Sequence, residues 1–398
     1  MKRTAISDWN DFSKKYAPGV YVEETFGLPH RQRFLTGVPV FLGRISRPSK
    51  HVAQEAKPIP HMLSLWSQFH AHIGTPSPGC HLAYAVRGFF ENGGRRCFVV
   101  VLKEITADAL RAGLDTIKGL NSIDLVCAPD LAAHPRCEDT YNLQQMVVYH
   151  CECLGNRFAI LDSRSGDNNE QVWTQWSEID GNNGALYYPW VRVPGFPHGL
   201  ELTPPCGHVA GVYARTDNDY GVHKAPANEE LDGVVGLERR IDEHLQADLN
   251  PKRVNCLRSF PGRGIRVWGA KTLSGQQEWV YVNVRRLFLT VVRWIEWNMW
   301  EVAFEPNTPT LWARIERELG GYLESLYRLG ALKGETPREA YYVKCDSETN
   351  PPDHCNLGQV VTEIGLAPAA PFEFVVVRLI HGESGVSVSE IARPEPTA

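Results

Sequence analysis

The stretch CFVVVLKEITADALRAGLDTIKGL, residues 97–120, joins a strand pattern to a helix pattern. Residues 97–102 form a short apolar run, which is typical of a strand buried on both faces. Thr106 can then cap a helix that places Leu110, Leu114 and Ile117 on one side. A strand followed directly by a helix is the repeating unit of an α/β fold.

The same alternation continues on both sides of this stretch. Further strand-like runs lie at 38–42, 124–127, 158–161 and 186–191, and helix-like runs lie at 82–92 and 141–154. Strands that alternate with helices favour a largely parallel sheet with helices on both faces. We therefore predict a mixed α/β body.

A second unit follows a stretch rich in Pro, Gly, Asn and Asp at residues 203–230, which we predict to be a helix and a long ordered loop. Two strands near 254–257 and 265–268 then precede two long helices, at about 284–300 and 310–329. We predict an N-terminal α/β domain over 28–230 and a C-terminal α/β domain over 231–366.

Both ends of the chain carry strand-forming runs without an obvious local partner. The first run follows Pro18-Gly19 and consists of Val20, Tyr21, Val22 and Glu23. The second lies at 372–380, and its apolar members are Phe372, Phe374, Val375, Val376, Val377 and Leu379, followed by Ile380. We predict an N-terminal arm over 1–27 and a C-terminal arm over 367–398, each donating a strand, and a last 15 or so residues without structure.

Bulk properties exclude several classes of protein. The net charge is −5, whereas a nucleic-acid-binding protein usually shows a basic stripe, so the composition does not favour nucleic-acid binding. No apolar window is long enough to span a membrane, and the first residues lack the apolar core of a signal peptide, so we expect synthesis in the cytoplasm. Most of the ten cysteines lie in apolar runs, and we interpret them as reduced core thiols.

Candidate chemistry is sparse. His150, Cys151, Glu152 and Cys153 offer zinc ligands, but the cysteine spacing is wrong for a structural site, and helix-end packing is favoured. Cys345 and Cys355, beside His354, also lack a recognised metal spacing. Ser163 follows Asp162 at a strand end without a nucleophile-elbow motif, which favours a loop cap. We predict no catalytic residue, cofactor or metal; a stand-alone α/β hydrolase is the alternative.

The first long helix carries candidate contacts between subunits. These residues are Arg285, Arg286, Trp294 and Trp297. Exposed arginines would meet acidic surfaces of neighbours, although a solvated helix face is the simpler interpretation. Buried tryptophans serve interfaces and intramolecular cores equally well, and both alternatives stay open for them.

Several stretches, in order along the chain, resemble one family. They are residues 16–24, 85–94, 97–99, 209–217, 221–228, 255–258, 264–273, 281–287, 304–307 and 311–312. Together they resemble the contractile tail sheath proteins of phages and of phage-derived extracellular contractile injection systems. The match covers nearly the whole chain, and 209–217 with 221–228 is its most diagnostic part.

The resemblance implies the tail-sheath fold, with two packed α/β subdomains and strand-exchange arms that complete a neighbour's sheet. It implies a structural protein without a cofactor, whose copies form hexameric rings stacked around an inner tube. Baseplate and terminal cap proteins would be further partners, with no nucleic acid and no stable membrane insertion.

A triggered contraction of this metastable sheath would drive the tube and a spike through a target membrane. The particle would assemble in the cytoplasm and be released or anchored. A baseplate-proximal or cap component on the same fold is the runner-up.

Overall fold

We analysed a computed structural model of the chain. It describes residues 35–196, 198–299, 302, 305–352, 359–371, 377–382 and 385–390, and in the last two ranges the backbone alone. The main sheet has nine strands in the order β2-β3-β1-β4-β5-β6-β11-β12-β9. These strands are β1 (Pro39–Gly43), β2 (Pro60–Leu63), β3 (Cys97–Val101), β4 (Leu125–Cys127), β5 (Phe158–Asp162), β6 (Gly184–Tyr188), β9 (Glu229–Glu230), β11 (Asn255–Phe260) and β12 (Gly264–Trp268).

The centre of the sheet is parallel and its edges are antiparallel. Strands β3, β1, β4, β5, β6 and β11 pair in parallel, whereas β2, β12 and β9 join antiparallel. The helices, in chain order, are α1 (Lys50–Gln54), α2 (Ser67–His72), α3 (His81–Glu91), α4 (Ala107–Ile117), α5 (Cys137–Leu154), α6 (Asn169–Ser177), α7 (Cys206–Asp219), α8 (Glu243–Leu249), α9 (Val282–Asn298), α10 (Pro309–Arg328) and α11 (Pro337–Ala340). The predicted α/β body is confirmed.

Alternate residues of the central strands bury opposite faces of the sheet. In β1, Phe41 joins one apolar cluster with α3 and α7, whereas Val40 and Leu42 join a second cluster with α4 and α5. This two-sided burial explains why the central strands are continuous apolar runs.

Helices α3 and α7 pack unusually closely on the first face. A Cβ atom added to Gly207 would lie 2.1 Å from the carbonyl oxygen of Ala85, and one added to Gly88 would lie 2.5 Å from the His208 ring. A Cβ added to Gly211 would lie 2.5 Å from the Cβ of Asn92, so the stretches 85–94 and 209–217 are in direct contact and small residues set the distance between the helices.

The remaining strands of the described ranges form three small sheets. The first has the order β10-β7-β8, with β7 (Val191–Pro194), β8 (Leu200–Thr203) and β10 (Gly236–Leu237). The others are the pairs β13 (Tyr341–Lys344) with β14 (Glu363–Leu366), and β15 (Val377–Gly382) with β16 (Gly385–Glu390).

Three sequence-based expectations are corrected. The run 186–191 is not one strand, because β6 ends before Pro189, which cannot donate a ladder hydrogen bond, and β7 begins in another sheet. The last residues are not wholly unstructured, since Gly385–Glu390 pairs with Val377–Gly382. The main sheet also runs across the expected domain boundary at 230, because β9 pairs with β12 and β11 pairs with β6.

Candidate functional site

The predicted donor strands fall partly outside the described residues. Val20, Tyr21, Val22, Glu23, Phe372, Phe374, Val375 and Val376 all lie outside them. Val377 and Leu379 belong to β15, where they pair with Glu390 and Val388. The described part of the molecule instead reveals how the chain is held next to each predicted arm, and where a donated strand could bind.

The chain enters the body at residues 36–38, which we call the N-terminal root. The backbone N–H groups of Gly37 and Val38 donate to the two carboxylate oxygens of Asp124, at 3.0 and 2.6 Å. Gly37 has φ +69°, and an added Cβ would lie 2.5 Å from the Cα of Ala214. Glycine is therefore required here both by conformation and by space.

Asp124 belongs to a buried charge cluster with Asp217, Arg286 and Arg293, the Arg286 cluster. Arg286 donates to both carboxylate oxygens of Asp217, at 2.8 and 2.6 Å, and to Asp124 at 3.1 Å. Arg293 lies two helical turns further along α9, with its Nη1 3.8 Å from Asp124. Two guanidinium groups and two carboxylates balance in charge, as buried ions require.

The electrostatics of the cluster keep Arg286 ionised. Burial alone disfavours its charged form, but the carboxylates of Asp217 and Asp124 outweigh this and raise the pKa of Arg286 above its usual value. Burial lowers the pKa of Arg293, against the opposing charge of Asp124. The Tyr213 ring, whose centroid is 4.8 Å from the Arg286 guanidinium carbon, also favours a cation here.

A second anchor lies at residues 367–369, which we call the C-terminal root. Ala367 accepts from Lys333 N–H at 2.7 Å and donates to Ala340 O at 2.9 Å. Ala369 donates to Ala331 O at 3.1 Å. Ala331 and Ala340 are fully buried, so the two hydrogen bonds that their carbonyls accept are shielded from water.

Asn283, in the first turn of α9, connects this root to the helix. Its Nδ2 donates to Ala369 O at 3.2 Å and to His223 O at 2.7 Å. Asn283 and Arg286 are three residues apart and therefore project from the same side of α9. One short segment of one helix thus contacts the C-terminal root directly and the N-terminal root through Asp124.

The pair β13–β14 is a candidate acceptor for a donated strand. It joins Tyr341 to Leu366 and Lys344 to Glu363 at its two ends, and each strand has a partner on one side only in the part of the chain that is described. Helix α10 packs on one face of this pair, in an apolar cluster that includes Leu311, Ile315 and Leu319 of the helix and Val343 and Ile364 of the strands. Two open edges beside an apolar support are the geometry that strand addition requires.

The four predicted lattice contacts differ in how far each side chain is engaged within the subunit. Arg286 is 2% exposed and fully engaged within the subunit, so its assignment as a lattice contact is corrected to an internal role. Arg285 is half-buried and donates to Asn183 Oδ1 at 2.6 Å. Trp294 stacks on Tyr322 with ring centroids 4.1 Å apart, whereas Trp297 is 52% exposed and stays a predicted contact.

The residues considered for chemistry have structural surroundings. Asp162 accepts from the backbone N–H of Cys206 at 2.8 Å, at the start of α7, and burial raises the pKa of its carboxyl to about 7. The carbonyl of Ser163 accepts from Trp190 Nε1 at 2.6 Å. Burial lowers the pKa of His150 to about 4, and its Nε2 lies 3.4 Å from Arg157. Asp162 therefore ties the start of α7 to the end of β5, and Ser163 ties the loop after β5 to Trp190.

The described part of the chain offers neither a cluster of metal ligands nor a membrane-spanning helix. Among the described residues, no group of three or more His, Cys, Asp or Glu side chains could hold a metal ion. Of the helices that the structure describes, none is both long enough and apolar enough to cross a membrane.

Sequence reasoning missed the Arg286 cluster, Asn283 and the β13–β14 pair. A hint of the cluster was available, since Asp217 stands in a helix whose neighbours Val212, Tyr213 and Ala214 are apolar. A short β-favouring run, Tyr341-Tyr342-Val343, marked β13.

Comparison with known proteins gives a consistent result. The family model of the phage tail sheath protein central domain matches residues 103–273, and that of the phage tail sheath C-terminal domain matches residues 274–380. A chain of the anti-feeding prophage baseplate is similar at a TM-score of 0.76 and 30% identity, covering 92% of this chain and 99% of that one. This chain belongs to the phage tail sheath family.

Further relatives agree. A chain of the anti-feeding prophage helical sheath in its contracted state matches at a TM-score of 0.74 and 30% identity, with 92% and 99% of the two chains covered. A chain of the PVC sheath complex of an extracellular contractile injection system, also in its contracted state, matches at a TM-score of 0.73 and 27% identity, with 96% of this chain and 99% of that one covered.

The curated relatives match this chain over part of their length. The tail sheath protein of Salmonella phage ViI is 27% identical over 296 residues, which are 69% of this chain and 44% of that protein. A protein named as a prophage major tail sheath protein in Pseudomonas aeruginosa (strain UCBPP-PA14) is 27% identical over 242 residues, 58% of this chain and 61% of that protein. The chain spans about half the length of these two relatives.

Proposed function

We propose that this chain is the structural subunit of a contractile sheath in a phage-tail-like injection system. Copies would polymerise as stacked hexameric rings around an inner tube, and contraction would drive the tube and spike through a target membrane. Membership of the sheath family and the likeness to contracted sheath chains support this function. The observation that carries it is the pair β13–β14, whose outer edges have no strand partner among the described residues, in a chain with strand-forming runs at both ends.

The joint between subunits would be strand addition. Residues 20–23 of the arm at 1–27 and residues 372–379 of the arm at 367–398 would be donated to the edges of β13–β14 in neighbouring subunits. Main-chain hydrogen bonds would supply the strength of the joint. The run 374–377 is apolar at every position, which fits a strand covered on both faces after docking.

Contraction would be a switch between two packings of the same subunits, with no nucleotide or cofactor. Because the arms carry the joints, subunits could rotate without separating. A structural role of this kind needs no catalytic residue, and Asp162 already binds the start of α7 while the Ser163 carbonyl binds Trp190.

The proposed partners are other copies of the chain, an inner tube protein, and baseplate and terminal cap proteins. Assembly would begin in the cytoplasm, and the particle would be released or anchored. Trp297 and Arg285, on α9, are proposed as additional lattice contacts because part of each side chain is accessible.

Truncation tests the proposal. The full chain, purified with the inner tube protein of its particle, should form hollow cylinders in negative-stain electron micrographs. Removal of residues 1–24, or termination at Pro371, should leave soluble subunits and no cylinders.

Removal of residues 1–15 is the matched control, because it shortens the same arm but spares the predicted strand; cylinders should persist. Normal cylinders from either long truncation would contradict strand addition. A full chain that stays a compact dimer beside its tube protein would contradict the sheath function itself.

A further inference from the structure

The two arm roots lie at opposite ends of the sequence but are held by the same part of one helix. Gly37 and Val38 bind Asp124, which binds Arg286. Ala369 binds Asn283. Because three residues of an α-helix rise about 4.5 Å, the two contact points on α9 are less than one turn apart.

The link to the N-terminal root consists of charge-assisted hydrogen bonds. Asp124 accepts from both root amides and from Arg286, and Asp217 accepts from the Thr36 side chain and bidentately from Arg286. All three charged groups are buried, which strengthens their interaction and makes a lost partner costly. A displacement of residues 36–38 must therefore move or break contacts of Arg286.

The link to the C-terminal root has a hydrogen bond and an apolar support. Asn283 holds Ala369 O, and Leu287, one turn on in α9, belongs to a small cluster with Ala331 and Leu332. Leu332 forms a bridge to Pro368, so this cluster underlies the root. A displacement of residues 367–369 therefore acts on the same two turns of α9.

The connecting segment is stiff. Residues 283–287 are helical and contain neither glycine nor proline. Val282, Val284 and Leu287 are buried, so the segment is packed on its sides as well as hydrogen-bonded along its axis. A rigid element that contacts two sites is the physical requirement for energetic coupling between them.

We propose that the start of α9 is a clamp that couples the two arm roots, with Asn283 and Arg286 as its positioning residues. Loosening one root then loosens the other, because Asn283 and Arg286 link the two roots through the same turn of α9. The consequence for the sheath rests on the proposed function: tension received on one arm would be passed to the other arm through the clamp. The coupling itself is a property of the single chain.

Amide hydrogen exchange on the unpolymerised full-length chain tests the coupling. Asn283→Ala removes the contact to the C-terminal root, and exchange is then read at Gly37 and Val38. Arg286→Lys keeps the charge but loses the bidentate geometry, and exchange is then read at Ala367 and Ala369. Each variant should accelerate exchange at the remote root about five-fold or more, the lower end of the usual range for coupled sites.

Arg285→Ala is the matched control. It lies between the two clamp residues, but its side chain binds Asn183 and stacks on Trp279, so neither root should change. Asp217→Asn provides a second way to loosen Arg286 if Arg286→Lys does not fold. It should also accelerate exchange at Ala367 and Ala369.

The result that overturns the clamp is local response only: each variant alters exchange at its own root and leaves the remote root within error of the parent protein. Equal acceleration by Arg285→Ala would overturn it as well, because general destabilisation would then explain the data. A chain that forms no cylinders would contradict the sheath function but leave this measurement unaffected, so the two failures are distinguishable.

Discussion

Replacing Arg286 by methionine tests the energetic importance of the Arg286 cluster. Methionine fills much of the same space but removes the guanidinium and its three hydrogen bonds, at 2.6, 2.8 and 3.1 Å. Arg293 remains near Asp124, so one buried carboxylate loses its counter-charge. Asp217 is the affected group, because both of its oxygens bind Arg286.

The expected loss is large. Removing one member of a buried ion pair costs about 3–5 kcal/mol, mainly because the remaining charge is left without a partner. The total free energy of unfolding of a typical protein is about 5–15 kcal/mol. Arg286→Met should therefore lower the free energy of unfolding by about 3–5 kcal/mol. The double variant Arg286→Met/Asp217→Asn should recover part of this, because it removes the orphaned charge.

Urea denaturation of the unpolymerised chain, followed by circular dichroism, measures both values. Arg285→Ala is the control, since a half-buried arginine with one side-chain hydrogen bond should cost about 1 kcal/mol. A loss below about 1 kcal/mol for Arg286→Met would refute the reasoning. So would a double variant no more stable than the single one.

Two further predictions concern packing and pH. Gly207→Ala should destabilise the fold by about 1–3 kcal/mol in the same denaturation assay, because its Cβ would lie 2.1 Å from the backbone of Ala85. Gly320→Ala is the control: this residue lies in α10 with open space around it, so the substitution should stabilise the fold by up to about 1 kcal/mol. Equal effects of the two substitutions would contradict the packing argument. Burial raises the pKa of Asp162 from 3.8 to about 7, so its contribution to stability is present below pH 4 and is lost as the pH rises through 7. The stability of the parent chain relative to Asp162→Asn should therefore fall by on the order of 4 kcal/mol between pH 4 and pH 8, measured by urea denaturation at each pH, and a flat difference would contradict it.

The body of the fold was predictable because its signals are local. The run at 97–102 and the helix after it follow from apolar periodicity within a few residues, and the structure has β3 at Cys97–Val101 and α4 at Ala107–Ile117. Seven cysteines that we interpreted as core thiols are buried, and Cys137 and Cys153 are exposed.

The partners of the charged residues were not predictable in this way. Arg286 lies beside Arg285 in an amphipathic helix, which is the usual pattern of a solvated face. Its counter-charges are 69 and 162 residues away in sequence, at Asp217 and Asp124. Local patterning contains no information on such pairs, and only the fold, which places α9 beside Asp217 of α7 and Asp124 before β4, brings them together. Short strands such as β13 fail for a related reason, since four residues provide little periodicity.

The stretches that carry the family resemblance meet in space. Residues 209–217 pack on 85–94 at Gly211, where an added Cβ would lie 2.5 Å from the Cβ of Asn92, and they supply Asp217. Residues 281–287 supply Asn283 and Arg286. The most diagnostic part, 209–217 with 221–228, thus supplies Asp217, which accepts from Thr36 and Arg286, and the His223 carbonyl, which accepts from Asn283.

A helical reconstruction of the assembled polymer by electron cryomicroscopy tests the central claim most directly. The account predicts that β13–β14 of each subunit is extended at its open edges by strands from neighbouring subunits, formed by residues 20–23 and 372–379. Open edges in the polymer, or edges filled only by strands of the same subunit, would contradict it.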